Sequence, residues 1–431
     1  MRRSMCRLIL LVLISSMFLS GMTFWVSAQE AKKITLYYDY GGGLGELEAL
    51  KKVVASFEEK NPGIKVEIIL APAGQAWSKL LTMIASGDPP DAAWFDDEVF
   101  PRFASEGLLM DLTDRLKKSK VIKTTDYYPT ARQAYTWNNR WYGLPNIGGS
   151  VVLFYNKTMF DKAGLKPPQG EKWTVDDFLK AAQKLTKDEN GDGIPETYGT
   201  GIRTWWPYWQ SWIWRNKGSI LSADKKRCVM DSPEAIEAME FYIGLRTKYK
   251  VAPSASIEKE QGSDMLFMSG KLAMWPNGSW ALPNYRTIKD FEWDICLVPR
   301  WKTGSIERVS WDGWIVPANS RNPELGWKLI EFLGGGEGLK EFVDLGGLPP
   351  LKSVAESPLF LETKGKSPKN IKAFVDALYG GRTRLSEITV KYDEMNTLLG
   401  QIFDEAFLGS KPVAQACKEA AVEVTKLLSG K

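Results

Sequence analysis

The 431-residue chain contains no histidine, the side chain whose ordinary pKa lies nearest neutral pH. That removes Ser-His-Asp and Cys-His catalysis, histidine-held zinc and histidine general bases. Carboxylates remain, and two of them flanking a glycosidic bond suffice for hydrolysis. Asp96, Asp97 and Glu98 form an acidic triplet, suited either to accept ligand hydroxyls or to cap the segment that starts near Val99. Tryptophan is the other resource: eighteen in the chain, with Trp205, Trp206, Trp209, Trp212 and Trp214 between Arg203 and Trp214. Indole serves either as a core filler or as a flat platform with one donor at its edge. Trp280 follows Gly278 and Ser279, while Trp311, Asp312, Gly313 and Trp314 set aromatic faces beside a carboxylate. That combination suits a sugar, whose ring face stacks while its hydroxyls need acceptors.

Other motifs exclude more than they assign. The glycine run Gly41, Gly42, Gly43 and Gly45 is followed by Glu46 where a dinucleotide loop wants glycine, and no G-x-x-x-x-G-K-[ST] occurs. The run from Tyr40 to Gly45 is either a ligand loop, which glycine opens to backbone amides, or a tight turn. Asp188, Asn190, Asp192 and Gly193 imitate half of a calcium loop, but Gly199 stands where the bidentate glutamate belongs. A turn is the better reading of that segment, so no metal and no cofactor is expected.

These residues need elements to hold them. Arg2, Arg3 and Arg7, an apolar run from Leu8 to Leu19, and Val26, Ser27, Ala28 match a secretory signal, with cleavage expected after Ala28. Cys6 precedes the apolar run, so no lipid anchor is expected. Loss of the three arginines lowers the formal net charge from +4 to +1, which leaves no bulk field for nucleic acid or anionic membrane. Cys228, Cys296 and Cys417 allow one bridge and leave at least one free thiol. Ile34–Tyr38, Ile64–Leu70 and Asp91–Phe95 read as strands alternating with helices at 46–60, 77–86 and 100–107, the pattern of an α/β sheet with parallel strands. Thr174 with Asp177, Ser232 before Pro233 and Asn322 before Pro323 open three more helices. Pro207 starts another that puts Trp209 and Trp212 on one core face, leaving Trp205 or Trp206 for a ligand.

The chain also resembles a known family. FEEKNPGIKV at 57–66, ASGDPPDAAWF at 85–95, GLLMDL at 107–112, LFYNK at 153–157, NGSW at 277–280 and the stretch 311–333 resemble, in order and spacing, the extracellular solute-binding proteins of family 1. These are the carbohydrate-binding subunits of bacterial ABC importers, the maltose-binding proteins among them. Leu153, Phe154, Tyr155, Asn156, Phe160 and Lys162 meet the family signature, whereas Asn146 and Ile147 depart from its upstream half. The resemblance implies an α/β, two-lobed periplasmic-binding-protein fold, type II-like, with a hinge of several crossings. It places 29–145 and 305–350 in one lobe and 146–304 and 351–431 in the other, after a signal at 1–28. It implies sugar contacts from Tyr40, Gly43, Trp94, Asp96, Asp97, Gly149, Trp205, Trp206, Trp280, Trp311, Asp312 and Arg382. The expectation is an exported monomer, periplasmic or extracellular, that hands a carbohydrate to a permease without covalent chemistry. The rivals are a secreted glycosidase or lyase, and a receptor for a solute such as a polyol phosphate; the acid-rich loops disfavour phosphate.

Overall fold

The computed structural model describes residues 31–39, 44–71, 74–363 and 365–430. Tyr40, Gly43 and the signal at 1–28 lie outside the described residues. Strand β1 (Lys32–Asp39), helix α1 (Leu44–Lys60), strand β2 (Ile64–Ala71), helix α2 (Ala76–Ala85), strand β3 (Ala92–Asp96) and helix α3 (Phe100–Ser105) follow in the alternation that their apolar periodicities predict. β1 pairs in parallel with both β2 and β3, as strand–helix–strand crossovers require.

Strand β4 (Leu144–Ser150) and strand β5 (Val152–Asn156) are separated by Val151 alone, yet they belong to different sheets. β4 pairs with strand β9 (Glu307–Ile315), which also runs antiparallel to β3 and pairs at its start with β10 (Thr383–Arg384). The first sheet is thus six-stranded. β5 is flanked by β7 (Leu272–Asn277) and β8 (Trp293–Cys296), and β6 (Tyr198–Thr200) closes the second, four-stranded sheet. α1 packs against α8 (Gly336–Leu345), and α6 (Pro233–Thr247) packs against α5 (Trp206–Arg215) and the two terminal helices, α9 (Tyr392–Leu408) and α10 (Val413–Ser429).

Two segments beside the expected lobe boundaries bond to elements of the first lobe. The resemblance puts residues 146–150 in the second lobe, but ladder hydrogen bonds hold them to β9 through Ser150. It puts residues 351–361 there too, yet Tyr128 donates to Glu356 at 3.0 Å and Leu351 bridges Tyr127. Thr174 and Asp177 form the expected capping box of α4 (Val175–Leu185). Asn322 precedes α7 (Pro323–Leu333) without capping it, because its Nδ2 donates instead to Asp91 at 3.1 Å. The three described cysteines are buried and free, so the bridge they allowed is not formed. Among the described residues no helix is long and apolar enough to cross a membrane.

Candidate functional site

Three chain segments meet at the carboxyl edge of the first sheet: the end of β1 at Asp39, the end of β3 at Asp96–Glu98, and β9 around Asp312. Strand alternation sorts their side chains onto two faces. Asp96 stands opposite Asp312, and Trp94 opposite Trp314, in the β3–β9 register. One face therefore carries Trp94 and Asp96, Asp312 and Trp314. Tyr38, Trp94, Trp314 and Phe342 pack there as one aromatic group, with ring centroids 4.7 Å apart for the Trp94–Trp314 edge contact and 5.4 Å for Tyr38–Trp94. Above that floor Glu46 accepts from Tyr38 at 3.3 Å.

Glu46 and Asp312 line a cavity of about 50 Å³ that is completed by Ser279, Trp280 and Pro283 from the second lobe. Trp280 is held against glycine: a Cβ on Gly149 would lie 2.0 Å from its ring, and one on Gly278 at 2.2 Å. The Ser279 hydroxyl donates to the Gly148 carbonyl at 2.8 Å. With one face of its ring seated this way, Trp280 is still 38% exposed.

The carboxylates crowd one another. Burial, then Glu98 and Asp39, pushes Asp96 up to about 8 despite a hydrogen bond shared with Asp312. Burial and then Asp96 raise Asp312 as well. Asp96 and Asp312 are partly buried residues, and two neighbouring carboxylates cannot both ionise freely. Burial also raises Glu46 and Asp39. Burial and mutual repulsion therefore favour the protonated form of one member, and a carboxyl so protonated both donates to and accepts from a hydroxyl.

Arg203, Trp205, Tyr208 and Trp275 of the second lobe and Arg308 from β9 of the first sheet form a wall of alternating rings and guanidinium groups. Arg203 lies 4.5 Å from the Tyr208 ring centroid and 5.1 Å from that of Trp275; Arg308 lies 5.1 Å from Trp205 and 5.5 Å from Tyr208. Asp264 anchors one end, accepting from Arg203 and from Trp275 at 3.1 Å, Asn277 at 2.6 Å and Tyr285 at 2.6 Å. Glu98 anchors the other, accepting from Arg308 at 2.7 Å. Trp205 is only partly buried, and its Nε1 donates to Asn396 at 3.0 Å.

Of the sequence-derived candidates, Trp280 and Asp312 line this cavity, Asp96 stands opposite Asp312, Gly149 seats the Trp280 ring and Trp205 lies against Arg308, while others sit elsewhere. Trp94, 5% exposed, packs beneath the acidic pair. Asp97 leaves the strand on the opposite face, accepts from the Trp311 amide at 3.1 Å and lines a second cavity of about 680 Å³ that Asp224 and Lys225 of the second lobe also border. Trp311 is buried on that same rear face against Tyr128 and donates to Thr130 at 3.2 Å. Trp206, 2% exposed, packs on Tyr392 at the start of α5. Arg382 is taken up by Glu171 and by the Tyr379 carbonyl, the latter at 2.8 Å. In the Asp188 turn both carboxylate oxygens accept amides, from Gly191 at 2.8 Å and Gly193 at 2.9 Å. Among the described residues no three acidic or thiol side chains cluster as metal ligands do. Glu46, Arg203, Asp264 and Arg308 are not among the residues that the sequence singles out; only Arg308, in register with Asp312 along one strand, carried a readable signal.

Comparison with known proteins bears on this geometry. Residues 41–340 match the family model described as bacterial extracellular solute-binding protein. The multiple sugar-binding protein of Streptococcus mutans is 26% identical over 78% of this chain and 81% of its own length. The arabinooligosaccharide-binding protein of Bacillus subtilis is 24% identical over 92% of this chain and 90% of its own. Among solved structures, an ABC substrate-binding protein of Listeria monocytogenes in complex with cycloalternan superposes with a TM-score of 0.83 at 27% identity, covering 93% of this chain and all of that one.

Proposed function

Because the chain belongs to the bacterial extracellular solute-binding protein family, we propose that it captures an oligosaccharide between its two lobes and delivers it to the permease of an ABC importer. It is a binding protein and not an enzyme. The observation that carries the sugar reading is the arrangement at the cavity: the exposed indole of Trp280 faces the carboxylates of Asp312 and Glu46 across the lobe boundary. A pyranose ring stacks on such a face while the acids take its hydroxyls. Trp205, Trp280, Asp96 and Asp312 are the proposed contacts, with Gly149 as the seat of Trp280. Phosphate is disfavoured by the carboxylates gathered here. The family is exported; release by cleavage after Ala28, without a lipid anchor and as a monomer, completes the proposal.

A thermal-shift screen tests it. Cycloalternan, malto-oligosaccharides and arabino-oligosaccharides are added to the purified mature chain. A true ligand at a hundred times its dissociation constant adds about 2.7 kcal/mol to folded-state stability. A panel of mono-, di- and longer saccharides that leaves the melting temperature unmoved refutes the sugar reading.

A further inference from the structure

Strand β9 opens with two consecutive charged residues, and alternation sends their side chains in opposite directions. Glu307 accepts from Arg215 at 3.3 Å, at the far end of α5 in the second lobe, with both side chains buried. Arg215 also donates to the carbonyls of Ser211 at 3.3 Å and Pro299 at 3.4 Å. Arg308 turns the other way. It reaches Glu98 at the end of β3 in the first lobe, and its guanidinium lies over Trp205 and Tyr208 at the beginning of α5. Its side chain is 4% exposed, and its Nε has no acceptor. One ion pair and two ring faces therefore hold it. Both ends of α5 are pinned to one dipeptide, but only the Arg308 end also grips the first lobe beyond its own strand.

We propose that Arg308 is a positioning residue that couples the Trp205 wall of the second lobe to Glu98 of the first, so that the Trp205 ring, one of the proposed sugar contacts, is set in place only when the lobes meet. Removing the guanidinium loosens the ring stack and the bridge to Glu98 together. Lysine in its place keeps the charge for Glu98 but lacks the plane that lies against two rings at once. A structural anchor alone predicts a lower melting temperature and no change in lobe arrangement. A coupling residue predicts a change in lobe arrangement in the absence of any ligand.

Small-angle X-ray scattering on the ligand-free protein decides between them. Arg308→Met is expected to increase the radius of gyration relative to wild type, with Arg308→Lys falling between the two. Glu98→Gln, which keeps the stack and removes the charge partner, is expected to shift in the same direction and serves if Arg308→Met does not fold. Scattering curves for folded variants that superpose on the wild type overturn the proposal. The affinity arm rests on the sugar reading: for a sugar that stabilises the wild type, such as cycloalternan, Arg308→Met is expected to raise the dissociation constant about tenfold, mainly through faster release. The scattering arm uses no sugar, so it tests the role of Arg308 even where the sugar reading fails.

Discussion

Replacing Asp96 by asparagine isolates the cost of the shared proton. In the folded protein Asp96 is pushed from the ordinary 3.8 to about 8, first by burial and then by Glu98 and Asp39. The sign follows from proton binding. Between those two values the folded state holds a proton that the unfolded chain has released, so the contribution of Asp96 to stability is most favourable at low pH and falls as pH rises toward 8. Every tenfold gain in proton affinity is worth about 1.4 kcal/mol, and the rise from 3.8 to about 8 therefore sets a ceiling of about 6 kcal/mol. The incomplete burial of the two residues and the coupling of their titrations reduce this to about 2–3 kcal/mol. Asparagine keeps the shape, presents a neutral donor to Asp312 and removes the penalty. Urea unfolding of wild type and Asp96→Asn at pH 4, 6.5 and 9 is expected to show near-equal stabilities at pH 4 and a variant more stable by about 2–3 kcal/mol at pH 9. A gap that stays constant across the three pH values refutes the shared-proton account, because a simple packing effect does not depend on pH.

Three further outcomes are expected. Gly149→Ala drives a methyl group into the Trp280 ring, where 2.0 Å is available, so calorimetry with a sugar found by the screen is expected to show affinity reduced about tenfold or more; unchanged affinity means that the seated ring does not contact the ligand. Trp209 is fully buried against Phe403, and Trp209→Ala is expected to lower folding stability by about 3–5 kcal/mol in denaturant titration; a loss under about 1 kcal/mol removes it from the core. Burial pushes the thiols of Cys228, Cys296 and Cys417 up to about 12, so Ellman's reagent at neutral pH is expected to react with these three only after unfolding. Rapid labelling of the native protein at any of them contradicts that burial.

What the sequence makes legible is local or periodic. The Thr174–Asp177 box reads directly because both partners lie within one helical turn, and the parallel strands read from apolar spacing that the β1–β2–β3 ladder then follows. Glu46 and Asp264 do not read at all. Their significance comes from Asp312, Trp280, Trp275 and Arg203, which only the fold brings near. The change of sheet at Val151 is equally hidden, since that residue separates two strands without any break in hydrophobic pattern.

The misplaced candidates have a different cause. Grouping Asp96 with Asp97, and Trp311 with Asp312, treats neighbours in sequence as neighbours in space, which a strand forbids because successive side chains leave by opposite faces. The alternation predicts that one member of each pair serves the cleft and the other the back of the sheet. Asp97 and Trp311 are the two displaced members, and they meet each other there: the Asp97 carboxylate accepts the Trp311 amide. The same count along β9 puts residues 308, 310, 312 and 314 on the cleft side and Glu307 on the other. A charged residue two turns of the pleat before Asp312 must then point toward the cleft edge, where it meets Glu98 and the face of Trp205. Strand parity therefore makes Arg308 a stronger site candidate than Trp311.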